Sequence, residues 1–189
     1  MGGVPFEGDR HLAHREPLVV GASVAFFRNL NLGQRRSRSP IRPELLAAFE
    51  RAGAPGAVSF QTNGTVIFEC EQDPQAVADE AVRQLTPVCG YDDVALARPV
   101  DWLRELDLEQ VPTDAEVSFF TGPEPFPESL PWVAPRGGLT VLRADSRHAV
   151  SVGDADGTSG ATWVLEQLLG VRVTSRGVPT MHRLQAKLA

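Results

Sequence analysis

Asn63-Gly64 stands between two strand-like runs, Ala57 to Thr62 and Thr65 to Cys70. Strand runs joined by Asn-Gly are the strongest short-range signal for a β-hairpin. What flanks this pair narrows the fold. Upstream, Pro43 at a first helical position, Glu44 beside the positive helix end, apolar Leu45, Leu46, Phe49 and Ala52, and Gly53 as terminator predict a helix over 43–52. Downstream, Asp73 as N-cap, Pro74 in the first turn, a stripe of Val77, Ala78, Ala81, Val82 and Leu85, and Gly90 predict a second helix. Leu18 to Arg28 lacks helical periodicity and reads as a buried strand, and Asp93 to Ala97 as a short one. The order is strand, helix, strand, strand, helix, strand. That is the ferredoxin-like split βαβ arrangement, an antiparallel sheet with both helices on one face.

The remainder of the chain gives a weaker version of the same pattern. Val100 to Leu108 predicts a connecting helix, and Pro112 marks the passage into a second half. Glu116 to Thr121 reads as a strand. Pro123, Pro125, Pro127, Pro131 and Pro135 then impose an irregular loop, because proline removes backbone donors. Phe126 and Trp132 are suited to pin that loop down. Leu139 to Arg143 and His148 to Val152 predict a hairpin across Asp145-Ser146, Val164 to Leu169 a helix ended by Gly170, Val171 to Thr174 a last strand, and Thr180 to Leu188 a last helix. The expectation is an α+β chain. A polar leader occupies 1–17, a ferredoxin-like βαββαβ half 18–99, a connecting helix and linker 100–112, and a similar but irregular α+β half 113–189.

Charge is polarised along the chain. Between Pro17 and Pro43 the charged residues are Arg28, Arg35, Arg36, Arg38 and Arg42, a segment of +5 that leaves −11 for the rest of a chain whose net charge is −6. A net acidic balance argues against a general nucleic-acid surface. Cys70 and Cys89 lack CxxC spacing and fit a reducing cytoplasm. No apolar run reaches the roughly 18 residues of a membrane span, and the first 17 residues lack a signal-peptide core.

Several segments bear on function. Strand alternation separates Phe26 and Arg28 from Phe27 and Asn29 and leaves Arg28 at a strand end, where a scaffold presents ligand-facing groups. Its fork suits a carboxylate or phosphate. Asn29, Asn31 and Gly33 suit a tight loop, and Gln34, Arg35 and Arg36 extend the donor surface. Ala25 to Leu30, AFFRNL, also fits the central strand of an RNA-binding sheet. The partner strand, however, offers Thr65 and Ile67 where stacking aromatics are needed. Thr174-Ser175-Arg176, leading into Pro179-Thr180, reads as a turn able to hold an anion ahead of a helix. His11 and His14 form an HxxH pair without further ligands. Gly157 to Gly160 only resembles a nucleophile elbow, Ser159 fits an N-cap better, and Asp154 and Asp156 lack the spacing of a calcium loop. No metal site and no cofactor is read, and no motif specifies a reaction.

Three motifs resemble those of a bacterial family of uncharacterised proteins, domain of unknown function 1697. They are Arg28 to Gln34, RNLNLGQ, against R-G-[IV]-N-[VL]-G-G; Gln61 to Phe68, QTNGTVIF, against Q-x-S-G-N-[VI]-[VI]-F; and Thr174 to Thr180, TSRGVPT, against T-x-R-N-x-x-T. Asn29 and Gln34 stand where the family has glycine, and Thr65 and Gly177 where it has asparagine. The resemblance spans about Val19 to Leu184. It implies a two-part α+β fold with ferredoxin-like halves and no known activity. It also implies a set of polar positions worth keeping only if they meet each other or a ligand.

The residues and the resemblance together predict a small anionic ligand held between the halves by Arg28, Asn29, Asn31, Gln34, Arg35, Gln61, Asn63, Arg176 and Thr180. Single-stranded RNA on the first-half sheet is the alternative, and a homodimer whose polar motifs stabilise its interface is the third reading.

Overall fold

The computed structural model describes residues 21–153 and 160–189. The polar leader with His11 and His14, the start of the strand predicted from Leu18, and Asp154, Asp156, Gly157 and Ser159 lie outside the described residues.

The first half follows the predicted order. Strand β1 (Ala22–Phe27) leads to α1 (Arg42–Arg51), the hairpin β2 (Val58–Phe60) and β3 (Thr65–Glu69), α2 (Pro74–Cys89) and β4 (Ala95–Pro99). The strands lie in the order β2-β3-β1-β4, antiparallel throughout, the connectivity of a split βαβ unit. Both helices cover one face, packing Leu45, Phe49, Val77 and Leu85 on Ala25, Phe27, Val66 and Phe68. Helix α2 starts where its cap predicts, with the Ala76 amide donating to Asp73 Oδ2 at 3.0 Å, and stops where Gly90 enters the left-handed region. Asp73→Ala leaves one first-turn N–H unsatisfied and is expected to lower unfolding stability by about 1 kcal/mol, read from urea denaturation.

The hairpin loop is longer than Asn-Gly alone predicts. Phe60 pairs with Thr65, so four residues, Gln61 to Gly64, make the turn. Positive φ falls on Gln61 (60°) and Gly64 (67°), whereas a two-residue type I′ turn needs it at both central positions. The cause is external. The Phe27 amide donates to the Gly64 carbonyl and the Leu32 amide to the Thr62 carbonyl, both at 2.8 Å, so the end of β1 shapes the loop.

Helix α3 (Val100–Glu105) connects to β5 (Glu116–Phe119), β6 (Trp132–Val133), the hairpin β7 (Leu139–Ala144) and β8 (His148–Gly153), α4 (Ala161–Leu169), β9 (Thr174–Gly177) and α5 (Val178–Leu188). The second sheet runs β6-β7-β8-β5-β9. Without the edge strand β6, this is the order of the first sheet, with the proline-rich loop in place of its first helix. Phe126 of that loop is buried with Phe120, Leu139 and Leu165. Two segments depart from their sequence reading: Trp132–Val133 forms a short edge strand inside the stretch read as an irregular loop, and the last strand is displaced. Thr174 to Gly177 is a strand paired with β5, rather than a turn, and Val171 and Arg172 precede it. Pairing with a central strand outweighs the turn chemistry of Thr-Ser, and Val178 instead opens the last helix.

The two sheets pack face to face. Phe26 of β1 stacks on Phe119 of β5, ring centroids 4.2 Å apart and planes within 16°, and Val24, Val117, Val150, Leu103, Met181 and Leu184 close around them. This overturns the RNA alternative. Phe26 and Phe27 are both 0 % exposed, one against the second sheet and one under the helices, so the first sheet offers no free face for bases. Among the described residues no helix is long and apolar enough to cross a membrane.

Candidate functional site

The seam between the sheets is held by a side chain that few folds bury. Arg176 lies on β9 opposite Val117, and alternation along the strand turns it inward toward β1. Its Nε donates to Thr65 Oγ1 at 3.1 Å, Nη1 to Thr174 Oγ1 at 3.0 Å and the Ser175 carbonyl at 2.8 Å, and Nη2 to the carbonyls of Phe27 at 3.0 Å and Asn63 at 2.8 Å. The five donors of the guanidinium are thereby matched. All the acceptors are neutral. Burial pushes the Arg176 pKa down to about 10, the direction expected of a cation removed from water without a carboxylate beside it.

Arg98 is its counterpart in the first half. Arg98 pairs with Val24 on β1 as Arg176 pairs with Val117 on β5. Arg98 Nη2 donates to the Phe120 carbonyl and, at 3.1 Å, to the Arg147 carbonyl. Phe120 and Arg147 occupy the places of Phe27 and Gly64, since Phe120 N donates to Arg147 O as Phe27 N does to Gly64 O. Each half thus sends one buried arginine into the other. Burial again lowers the Arg98 pKa, to about 10, and the charge of Arg147 adds to it. Arg98 is absent from the sequence-derived site. Its signal is a repeat: Ala97-Arg98-Pro99-Val100 matches Ser175-Arg176-Gly177-Val178, and Val24-Ala25-Phe26-Phe27 matches Val117-Ser118-Phe119-Phe120.

Three of the predicted site residues meet beside Arg176, itself the fourth. A cleft of about 230 Å³ is lined by Asn29, Asn31, Asn63 and Arg176, with Phe27, Leu30, Ser175 and Gly177 completing its walls. Asn29 has a left-handed backbone, φ 53°, and its Nδ2 donates to Asp93 Oδ2 at 3.2 Å. Asn63 Oδ1 accepts from Thr65 Oγ1 at 2.9 Å, which leaves its amide nitrogen on the other side. Asn31 is fixed through its backbone N–H, which donates to Ser39 Oγ at 3.1 Å.

Arg28 is committed elsewhere. Nη1 meets Asp93 Oδ2 at 2.6 Å, while Nε and Nη2 straddle the Glu166 carboxylate at 2.9 and 3.0 Å. Burial opposes its charge, but the two carboxylates outweigh it and hold its pKa above the ordinary value. The arginine predicted to clamp an anion thus ties β1 to α4 with the protein's own acids. Its carbonyl accepts from the buried Tyr91 hydroxyl at 2.7 Å. The other predicted residues are dispersed. Arg35 pairs with Glu44 at 2.7 Å, and Gln34 turns the neighbouring 3₁₀ segment through its carbonyl. Gln61 bends the hairpin, and Thr180 Oγ1 accepts from Arg183 on α5 at 3.3 Å.

The fold and seam define a class, a duplicated α+β protein in which two antiparallel sheets are locked by reciprocal buried arginines. The model of the family described as protein of unknown function (DUF1697) matches residues 21–124, and the chain belongs to that family. A solved structure, that of conserved bacterial protein SP0830 from Streptococcus pneumoniae, shares the fold with a TM-score of 0.60. The match covers 89% of this chain and 98% of that one at 14% identity. No curated protein matches the sequence.

Proposed function

We propose that the protein binds a small oxyanion, the phosphate or carboxylate group of a metabolite, in the cleft bounded by Asn29, Asn31, Asn63 and Arg176. The observation that carries this reading is a buried cation, with no acidic partner among the described residues, that borders a cleft whose walls include three asparagine side chains. Arg176 contributes charge rather than hydrogen bonds, because its donors are taken. The amides of Asn31 and Asn63 supply donors. Size limits the ligand: about 230 Å³ lies below the roughly 300–1,000 Å³ of sites that enclose a whole drug-sized molecule, so the cleft takes the anionic group and leaves the remainder of a nucleotide or metabolite outside. Arg28 plays no part in holding it.

The test is thermal unfolding in the presence of inorganic phosphate, citrate or AMP. An anion present at about 100 times its Kd adds about 2.7 kcal/mol, which for a chain of this size raises Tm by about 5–10 °C. Asn31→Asp places a negative charge in the cleft while keeping the backbone contact to Ser39, and is expected to abolish the rise. If none of the three anions moves the Tm of the unmodified protein, the reading is wrong.

A further inference from the structure

On the far side of the seam from Arg176, a larger cleft of about 420 Å³ opens between α3 and the β7–β8 hairpin, lined by Trp102, Leu106, Arg143, Arg147 and His148, with Glu105 and Asp107 on its rim. Its chemistry is concentrated at the hairpin turn. Asp145 Oδ1 accepts from the amides of Arg147 at 2.7 Å and His148 at 2.8 Å, and from His148 Nδ1 at 2.9 Å. A carboxylate so placed fixes the imidazole with its proton on Nδ1. Nε2, which has no hydrogen-bond partner among the described residues, then carries the lone pair. The ring lies edge-on to Trp102, centroids 5.3 Å apart, and the Arg147 guanidinium sits over the same indole at 5.0 Å. Arg143 is matched by Asp107 at 3.2 Å. Arg147 has no carboxylate partner among the described residues.

A comparison with the other seam supplies a second, independent observation. His148 faces Phe119 across β5 as Thr65 faces Phe26 across β1. In the Arg176 seam, Thr65 accepts the arginine's Nε. In the Arg98 seam, the histidine at that position turns to Asp145, and Arg98 Nε is buried with no hydrogen-bond partner among the described residues. A buried unmatched donor on a cation is destabilising, and departures of this kind from a well-satisfied interior mark functional positions.

We infer that this cleft is a second ligand site, one that takes a phosphate monoester on Arg147 and Arg143 beside Trp102 and shares a proton with it through His148 Nε2. Phosphate suits the site because its second ionisation, near pH 6, lies close to that of imidazole, so one proton can be held between the two. The balance is simple: a monoanionic phosphate yields its proton to Nε2, and an imidazolium faces the resulting dianion. The groups around His148 agree. Burial holds its pKa below the ordinary value, Asp145 opposes that, and the positive charges of Arg147 and Arg143 add to the lowering. An anion on those two arginines removes their share. Glu105, Asp107 and Arg98 are the other charges at the site, and Asp107 is already matched.

The site is tested by following the His148 ring proton by NMR against pH, assigned with His148→Gln, with and without inorganic phosphate. Phosphate is expected to raise the titration midpoint by at least half a pH unit, which by linkage is about threefold tighter binding to the protonated form. Arg147→Gln is expected to abolish the shift, and Asn31→Asp to leave it intact, which separates this site from the Arg176 cleft. An unchanged midpoint in the unmodified protein, or an equal shift in Arg147→Gln, overturns the inference. Sulfate, which has no proton to share near neutral pH, is expected to give a smaller shift; a shift equal to that of phosphate overturns the proton-sharing role.

Discussion

Arg176→Ala is expected to be the most damaging single substitution in the chain, lowering unfolding stability by about 4 kcal/mol or more. The side chain closes no ion pair among the described residues, so the loss comes from what it leaves behind. The carbonyls of Phe27, Asn63 and Ser175 and the hydroxyls of Thr65 and Thr174 each lose a donor in the seam, and a buried polar group left unmatched is destabilising by about 1–3 kcal/mol. The guanidinium also lies 5.5 Å from the centre of the Phe26 ring, so its removal opens a cavity beside the stacked Phe26–Phe119 pair. Domains are stable by only about 5–15 kcal/mol, and such a variant should sit at the edge of folding. Arg176→Lys keeps the charge and loses the fork, and its urea midpoint should fall between the two. A midpoint for Arg176→Ala within about 1 kcal/mol of the unmodified protein would show that the seam does not depend on this residue.

Gly64→Ala follows, with an expected loss of about 3 kcal/mol. Two effects add. The residue sits at φ +67°, and a Cβ there would stand 2.8 Å from Phe27 Cβ and 2.9 Å from Leu30 Cβ. The left-handed backbone is unfavourable for alanine by about 1–2 kcal/mol, and overpacking of this kind adds about 1–3 kcal/mol. Gly33 separates the two contributions. It has φ +83° but nothing within 4 Å of its added Cβ, so Gly33→Ala should show the backbone part alone. Equal losses in the two variants, compared by chemical denaturation, would exclude the steric contribution.

The first half was legible because its signals are local. A Pro-opened helix, an Asn-Gly turn and an Asp-capped helix each act within a few residues, and together they specify the strand order. The second half was legible in outline for the same reason, and its one misplaced strand shows the limit. Thr174-Ser175-Arg176 has the composition of a turn, yet it completes a sheet through β5, some 57 residues earlier in the chain at Ser118. Site residues divided along the same line. Asn29, Asn31, Asn63 and Arg176 converge on one cleft because the hairpin loop and β1 are bonded through Phe27 and Leu32. Arg28 could not be assigned from the sequence, since whether an arginine at a strand end meets a ligand or two carboxylates depends on Asp93 and Glu166, which are 65 and 138 residues away. The pair formed by Arg98 and Arg176 was present as the repeats V-[AS]-F-F and [AS]-R-[PG]-V, which are four residues long and become informative only when both copies are set side by side.

The reciprocal arginines have a further consequence for descent. Two identical subunits joined about a twofold axis would have to change both seams with every substitution, so a histidine replacing the threonine that receives the arginine would deprive both at once. In a single chain that carries both copies, that restriction is lifted. One seam has Thr65, with its arginine fully matched; the other has His148 at that place, and Arg98 Nε has no hydrogen-bond partner among the described residues. Joining the copies in one polypeptide lets the first seam hold the molecule together while the second is free to diverge.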